Sequence, residues 1–103
     1  MICSEKAREN LKSLGERLRD ERLYRNETQK VFAARIGAST PTLIKMESGD
    51  PKVQLGFWVA AMDVLGHEDD LNQLIAPSED LFVKYEQTQK GRRKRASRRK
   101  KTP

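Results

Sequence analysis

Apolar positions recur along the first half of this chain at helical spacing. Leu11, Leu14 and Leu18 lie three and four residues apart, with Arg22 continuing the line, so they share one helical face. The opposite face alternates in sign through Glu16, Arg17, Arg19, Asp20 and Glu21. This predicts a first helix over about 8–24, preceded by a charged helical lead-in at 1–9. Asn26 stands just past its end, where a left-handed residue is often needed. Thr28 then offers an N-cap and Gln29 opens a second helix carrying Val31, Phe32, Ala34 and Ile36. Gly37 ends it. Ser39 is the next N-cap, Pro41 falls in a first turn where its missing N–H costs nothing, and Leu43, Ile44 and Met46 follow. Gly49 and Asp50-Pro51 stop this third helix. A fourth is expected over about 54–65, with Leu55, Trp58, Val59, Met62 and Leu65 on one stripe. A fifth is expected over about 68–75, its acidic start suited to the helix dipole. Pro77 closes the series.

Beyond it, Leu81 to Tyr85 is a short apolar run, either a strand or a helical turn. From Lys90 onward no packed core can form. The expected organisation is a lead-in at 1–9, an all-α domain at 10–76, an extension at 77–89 for dimer or partner contact, and a disordered basic tail at 90–103.

Charge refines this picture. The formal net charge is +6, but residues 90–103 hold nine Lys and Arg and no acid. Residues 1–89 hold twelve Lys and Arg against fifteen Asp and Glu, so the folded part is slightly acidic and net basicity does not argue for nucleic acid there. A DNA-binding reading must rest on local arrangement. At 103 residues with 6% aromatics the core is small, and a dimer would supply the missing burial. Cys3 is the single cysteine and His67 the single histidine, which leaves no internal disulfide and no metal-ligand cluster. The acids Asp63, Glu68, Asp69 and Asp70 are expected to be a solvated helix start rather than a metal site. No apolar run approaches a membrane span and no signal peptide is evident, so the expectation is a cytoplasmic protein without membrane contact. No nucleophile–base pair or carboxylate dyad points to an enzyme, and no cofactor is expected.

Residues 28–49 carry the chemistry. Two short helices are joined by a tight turn, and each position has a physical task. Ala33 is small where the helices cross, Gly37 turns the chain, and Ile36 and Leu43 fill the angle between them. The residues expected to face outward on the third helix are polar: Thr40, Thr42 and Lys45. Such a helix can enter a major groove and present them to base edges.

With the flanking Leu14-Gly15-Glu16-Arg17-Leu18 and Leu55, this stretch resembles the lambda-repressor-like helix-turn-helix family (Xre/Cro type) over about 14–76. The resemblance implies a five-helix domain that binds palindromic double-stranded operators as a two-fold homodimer. It implies base reading by Thr40, Thr42 and Lys45, and phosphate contacts from Gln29, Ser39, Ser48 and Lys52. Gln29 would also brace the third helix, and Arg22 would pair with Glu47 as a structural link. Two positions depart from the pattern. Pro41 stands where many relatives carry a long polar reader. Glu21 replaces a common apolar residue, with Leu23 expected to take over its packing.

Asn26-Glu27-Thr28-Gln29, Lys45 to Pro51 and Leu65 to Leu71 are further similar to small regulators of the HipB-like type. That resemblance implies the DNA-binding antitoxin subunit of a toxin–antitoxin operon, partnered by a HipA-type serine/threonine kinase. The basic blocks Arg92-Arg93-Lys94-Arg95 and Arg98-Arg99-Lys100-Lys101 would follow the DNA backbone, act as a solubiliser, or touch an acidic face of the kinase. Two other readings stay open: an interaction protein that chiefly inhibits or scaffolds a toxin, with DNA binding secondary, and an independent phage-type repressor.

Overall fold

A computed structural model describes residues 2–77 of the chain. Its described residues are all-helical: α1 (Glu5–Tyr24), α2 (Gln29–Arg35), α3 (Thr40–Glu47), α4 (Leu55–Val64) and a 3-10 helix at Glu68–Gln73. The apolar run Leu81–Tyr85, the extension beyond Pro77 and the basic segment 90–103 lie outside the described residues.

Helix α1 starts earlier than the apolar spacing suggests. Ser4 is its N-cap, with Oγ accepting from the Ala7 N–H at 3.1 Å, and Glu5 sits in the first turn, where a negative charge suits the helix dipole. Most of the charged lead-in is therefore the first turns of α1. The helix buries Gly15, Leu18 and Arg22. Asn26 takes a left-handed φ of 55° just after it. Leu23 stays 48% exposed and does not substitute for an apolar residue at position 21. Glu21 instead pairs with Arg25 one turn on, and Arg25 Nη2 donates to the Leu65 carbonyl at 3.2 Å, tying the end of α1 to the end of α4.

Helices α2 and α3 are each capped by a hydroxyl. Thr28 Oγ1 accepts from the Val31 N–H at 3.2 Å, and Ser39 Oγ from the Thr42 N–H at 3.2 Å. Between them Gly37 adopts φ 72°, and the Ala38 N–H donates back to the Ala33 carbonyl at 2.9 Å. That positive φ is open to glycine at no steric cost. The turn lays α3 across α2, and α3 also packs on α1.

The core is Leu18, Phe32, Ala33, Ile36, Leu43, Met46, Trp58 and Ala61. Phe32, Leu43 and Met46 are fully buried, each stabilising the fold by about 1.5–3 kcal/mol. The fourth helix is rotated relative to the expected stripe. Trp58 and Ala61 are buried, with Phe57, Met62 and Leu65 packed against the core, whereas Leu55 and Val59 are 60% and 38% exposed. The inward ladder is 57/58, 61/62 and 65, at spacings of three and four. Val31 and Ala34 of α2 likewise face outward.

The last element is a 3-10 helix rather than the expected α-helix. Exposed His67 precedes it, with Nδ1 at 3.2 Å from Asp70 Oδ2, and none of its residues is buried. Without an apolar stripe to dock, a longer helix has little tertiary support. The C-terminal unit begins at Asn72; its described part is the end of this helix, Ile75 at φ 52°, and Pro77. No helix among the described residues is long and apolar enough to cross a membrane.

Candidate nucleic-acid interface

The fold gives α3 one locked face and one open face. Leu43, Met46 and Glu47 point inward and are buried. Pro41, Ile44, Lys45 and Ser48 are exposed, and Thr40 and Thr42 are half-buried. The outward surface is therefore less polar than the sequence suggests. Ile44, grouped there with the apolar residues of α3, is 47% exposed, because the inward positions 43, 46 and 47 leave residue 44 on the other side of the helix.

The inner face is fixed by a buried ion pair. Arg22 Nε donates to Glu47 Oε2 at 2.7 Å and Arg22 Nη2 to Glu47 Oε1 at 3.2 Å. Gln29 Nε2 donates to the same Oε1 at 3.1 Å, and Arg22 Nη1 to the Glu27 carbonyl at 2.9 Å. Three helices thus meet at one carboxylate: α1 through Arg22, α2 through Gln29 and α3 through Glu47. Arg22 and Glu47 are 6% and 8% exposed, so their charges are largely withdrawn from water and depend on each other. The Glu27 side chain pairs with Arg35 at the far end of α2, so α2 is gripped at both ends.

A second device holds the C-terminal end of α3. A Cβ added to Gly15 would lie 2.6 Å from the carbonyl oxygens of Met46 and Glu47. One added to Gly49, whose φ is 78°, would lie 2.6 Å from the Lys12 Cα. The α1 backbone therefore rests directly on the last turn of α3. The sequence offers a hint in a glycine within an otherwise regular helical face, but a lone helix glycine has many causes.

The remaining candidate residues line the rim of the open face. Ser39 Oγ and Thr42 Oγ1 are 2.9 Å apart, so the two hydroxyls are hydrogen-bonded to each other, while Ser39 Oγ also caps the helix. Ser48 Oγ donates to the Lys45 carbonyl at 2.9 Å. Past α3, the Asp50 carboxylate accepts from the Lys52 N–H at 2.8 Å and shapes the bend into α4. A shallow cleft of about 210 Å³ lies there, lined by Thr42, Lys45, Asp50, Lys52, Val53, Gln54 and Phe57. Lys45 and Lys52 both reach it, so the open face of α3 and the loop after it are continuous. Gln29 does not line this cleft, and one N–H of its amide donates to Glu47. The eight tail residues Arg92 to Arg95 and Arg98 to Lys101 fall outside the described residues.

A family model described as a helix-turn-helix domain matches residues 13–74. Neither a search of curated proteins nor one of solved structures found a match. The matched stretch is more than half of the 103 residues and spans α2, the Gly37 turn and α3 together with the helices that hold them. The chain therefore belongs to the helix-turn-helix domain family, in its lambda-repressor-like form.

Proposed function

We propose that this chain is a sequence-specific transcriptional repressor that inserts α3 into the major groove of a palindromic operator as a homodimer. The observation that carries the reading is the division of α3 into an inner face locked by Arg22, Gln29 and Glu47 and an open face that ends in Lys45. A helix presented to a groove must be rigid relative to the body that holds the phosphates, because base contacts discriminate only when register is fixed. Thr40, Thr42 and Lys45 are assigned to the bases. Gln29, Ser39, Ser48 and Lys52 are assigned to phosphates, with residues 10–76 as the DNA-binding domain and 77–89 as a dimer or partner contact. The small core supports dimerisation: only eight apolar residues are buried among those described. The basic segment 90–103 supplies affinity without sequence preference by neutralising phosphates beyond the operator core.

The finer proposal is an autoregulatory antitoxin subunit of the HipB-like type, partnered by a HipA-type kinase. It rests on the stretches 26–29, 45–51 and 65–71. The test of DNA binding is selection from a randomised duplex pool by the full chain. The expected result is an inverted repeat with half-sites about one helical turn apart; a pool without an enriched sequence would overturn the repressor reading. Co-expression with the products of the adjacent reading frames tests the partner. The expectation is a stable complex with a kinase, and flanking frames that encode no kinase would remove the antitoxin assignment.

A further inference from the structure

We propose that Pro41 and Ile44 form an apolar reading surface that selects thymine through its 5-methyl group, so that part of the operator is recognised by van der Waals contact rather than by hydrogen bonds. This rests on the placement of α3 in the major groove argued above. Three observations lead to it. Pro41 and Ile44 are both exposed, and three residues apart they lie on the same side of α3. Each is without a packing task in the described core, which takes Leu43 and Met46 from this helix. The hydroxyl one turn from Ile44, Ser48 Oγ, already donates its proton to the Lys45 carbonyl at 2.9 Å.

The occupant follows from the surroundings of the patch. Exposed Lys45 adjoins Ile44 on the same helix, so an anionic polymer is favoured over an apolar protein surface. Among the groups exposed in a major groove, the thymine methyl is the one that an aliphatic side chain recognises, since the other base edges present donors and acceptors that an isoleucine or proline would leave unpaired. Lys45 offers three donors and no acceptor, which suits guanine O6 and N7 in an adjacent pair. The expected half-site code on this face is therefore a guanine beside one or two thymines.

The test uses the full chain and needs no protein variant to begin. In the operator selected from the pool, each thymine of one half-site is replaced singly by deoxyuridine, which removes only the methyl group. At one or two positions the affinity should fall about fourfold, the worth of one buried carbon. In Ile44→Ala the thymine operator should bind more weakly and the difference between thymine and uracil should shrink toward unity at the position that Ile44 faces. An enriched operator whose affinity is unchanged by uracil at every thymine overturns this inference and leaves the repressor reading intact. A pool with no enriched sequence removes that reading and this one with it.

Discussion

Gly15→Ala sets two effects of opposite sign against each other. In a regular helix, alanine is favoured over glycine by about 1 kcal/mol, so the sequence alone makes this a stabilising change in the middle of α1. The structure reverses the sign. The new Cβ would stand 2.6 Å from two carbonyl oxygens, those of Met46 and Glu47, and 2.8 Å from the Glu47 carbonyl carbon. These are backbone atoms and cannot rotate away, so relief requires α1 and the end of α3 to separate by several tenths of an ångström. Overpacking of this kind costs about 1–3 kcal/mol, and an unyielding backbone contact belongs at the upper end. Net of the propensity gain, the loss is about 2 kcal/mol, or a fall of roughly 8–16 °C in melting temperature for a domain of this size. Gly56→Ala is the matched control. Gly56 lies in the first turn of α4 with nothing within 4 Å of an added Cβ, so only the propensity term operates and stability should rise by up to about 1 kcal/mol. Thermal and urea unfolding followed by circular dichroism measure both. A Gly15→Ala protein that melts at or above the parent temperature would refute the backbone contact between α1 and α3.

Three other outcomes are expected. Glu47→Ala should cost about 3–5 kcal/mol, because it leaves Arg22 buried without its carboxylate, whereas replacing Arg22 and Glu47 together by apolar residues should recover most of that loss; a single-variant cost below 1 kcal/mol in urea unfolding would contradict the burial of the pair. Lys45→Ala should weaken operator binding while leaving the melting temperature within about 2 °C, as expected of an exposed side chain, and unchanged affinity in a fluorescence titration would remove Lys45 from the reading face. Truncation after Gln89 should lower affinity for all DNA and flatten its salt dependence by roughly 3.6 log units per log unit of salt if four phosphates lose their partners; equal slopes for both forms would leave the segment as a solubiliser.

Much of the helix-turn-helix was legible because its punctuation is local. Thr28, Ser39, Gly37 and Gly49 act within one or two turns of their own position, and each stands where a cap or a positive φ occurs. What escaped the sequence was rotation about the helix axis. For α4, periodicity admits both a stripe through Leu55 and Val59 and one through Phe57 and Ala61, which differ by a fraction of a turn. Only the neighbours decide between them, and here Trp58 and Ala61 face the core. The same ambiguity placed Ile44 with the packing residues of a helix whose inward positions are 43, 46 and 47.

That rotation matters more for function than for stability. Ile44 at 47% exposure contributes little to the core, so a sequence under pressure only to fold would favour a polar residue there, as it does at Lys45 and Ser48. Pro41 differs, since its fixed φ suits the first turn of α3, but its exposed ring has no packing task in the described core. An exposed isoleucine on the open side of a helix whose other side is locked by a buried ion pair has no evident benefit to an isolated domain. Its benefit comes when water is displaced from it, and the adjoining, exposed Lys45 directs the polymer that would do so. The reading surface is thus a departure from the pattern that folding alone would impose, in the place where a helix-turn-helix domain meets its ligand.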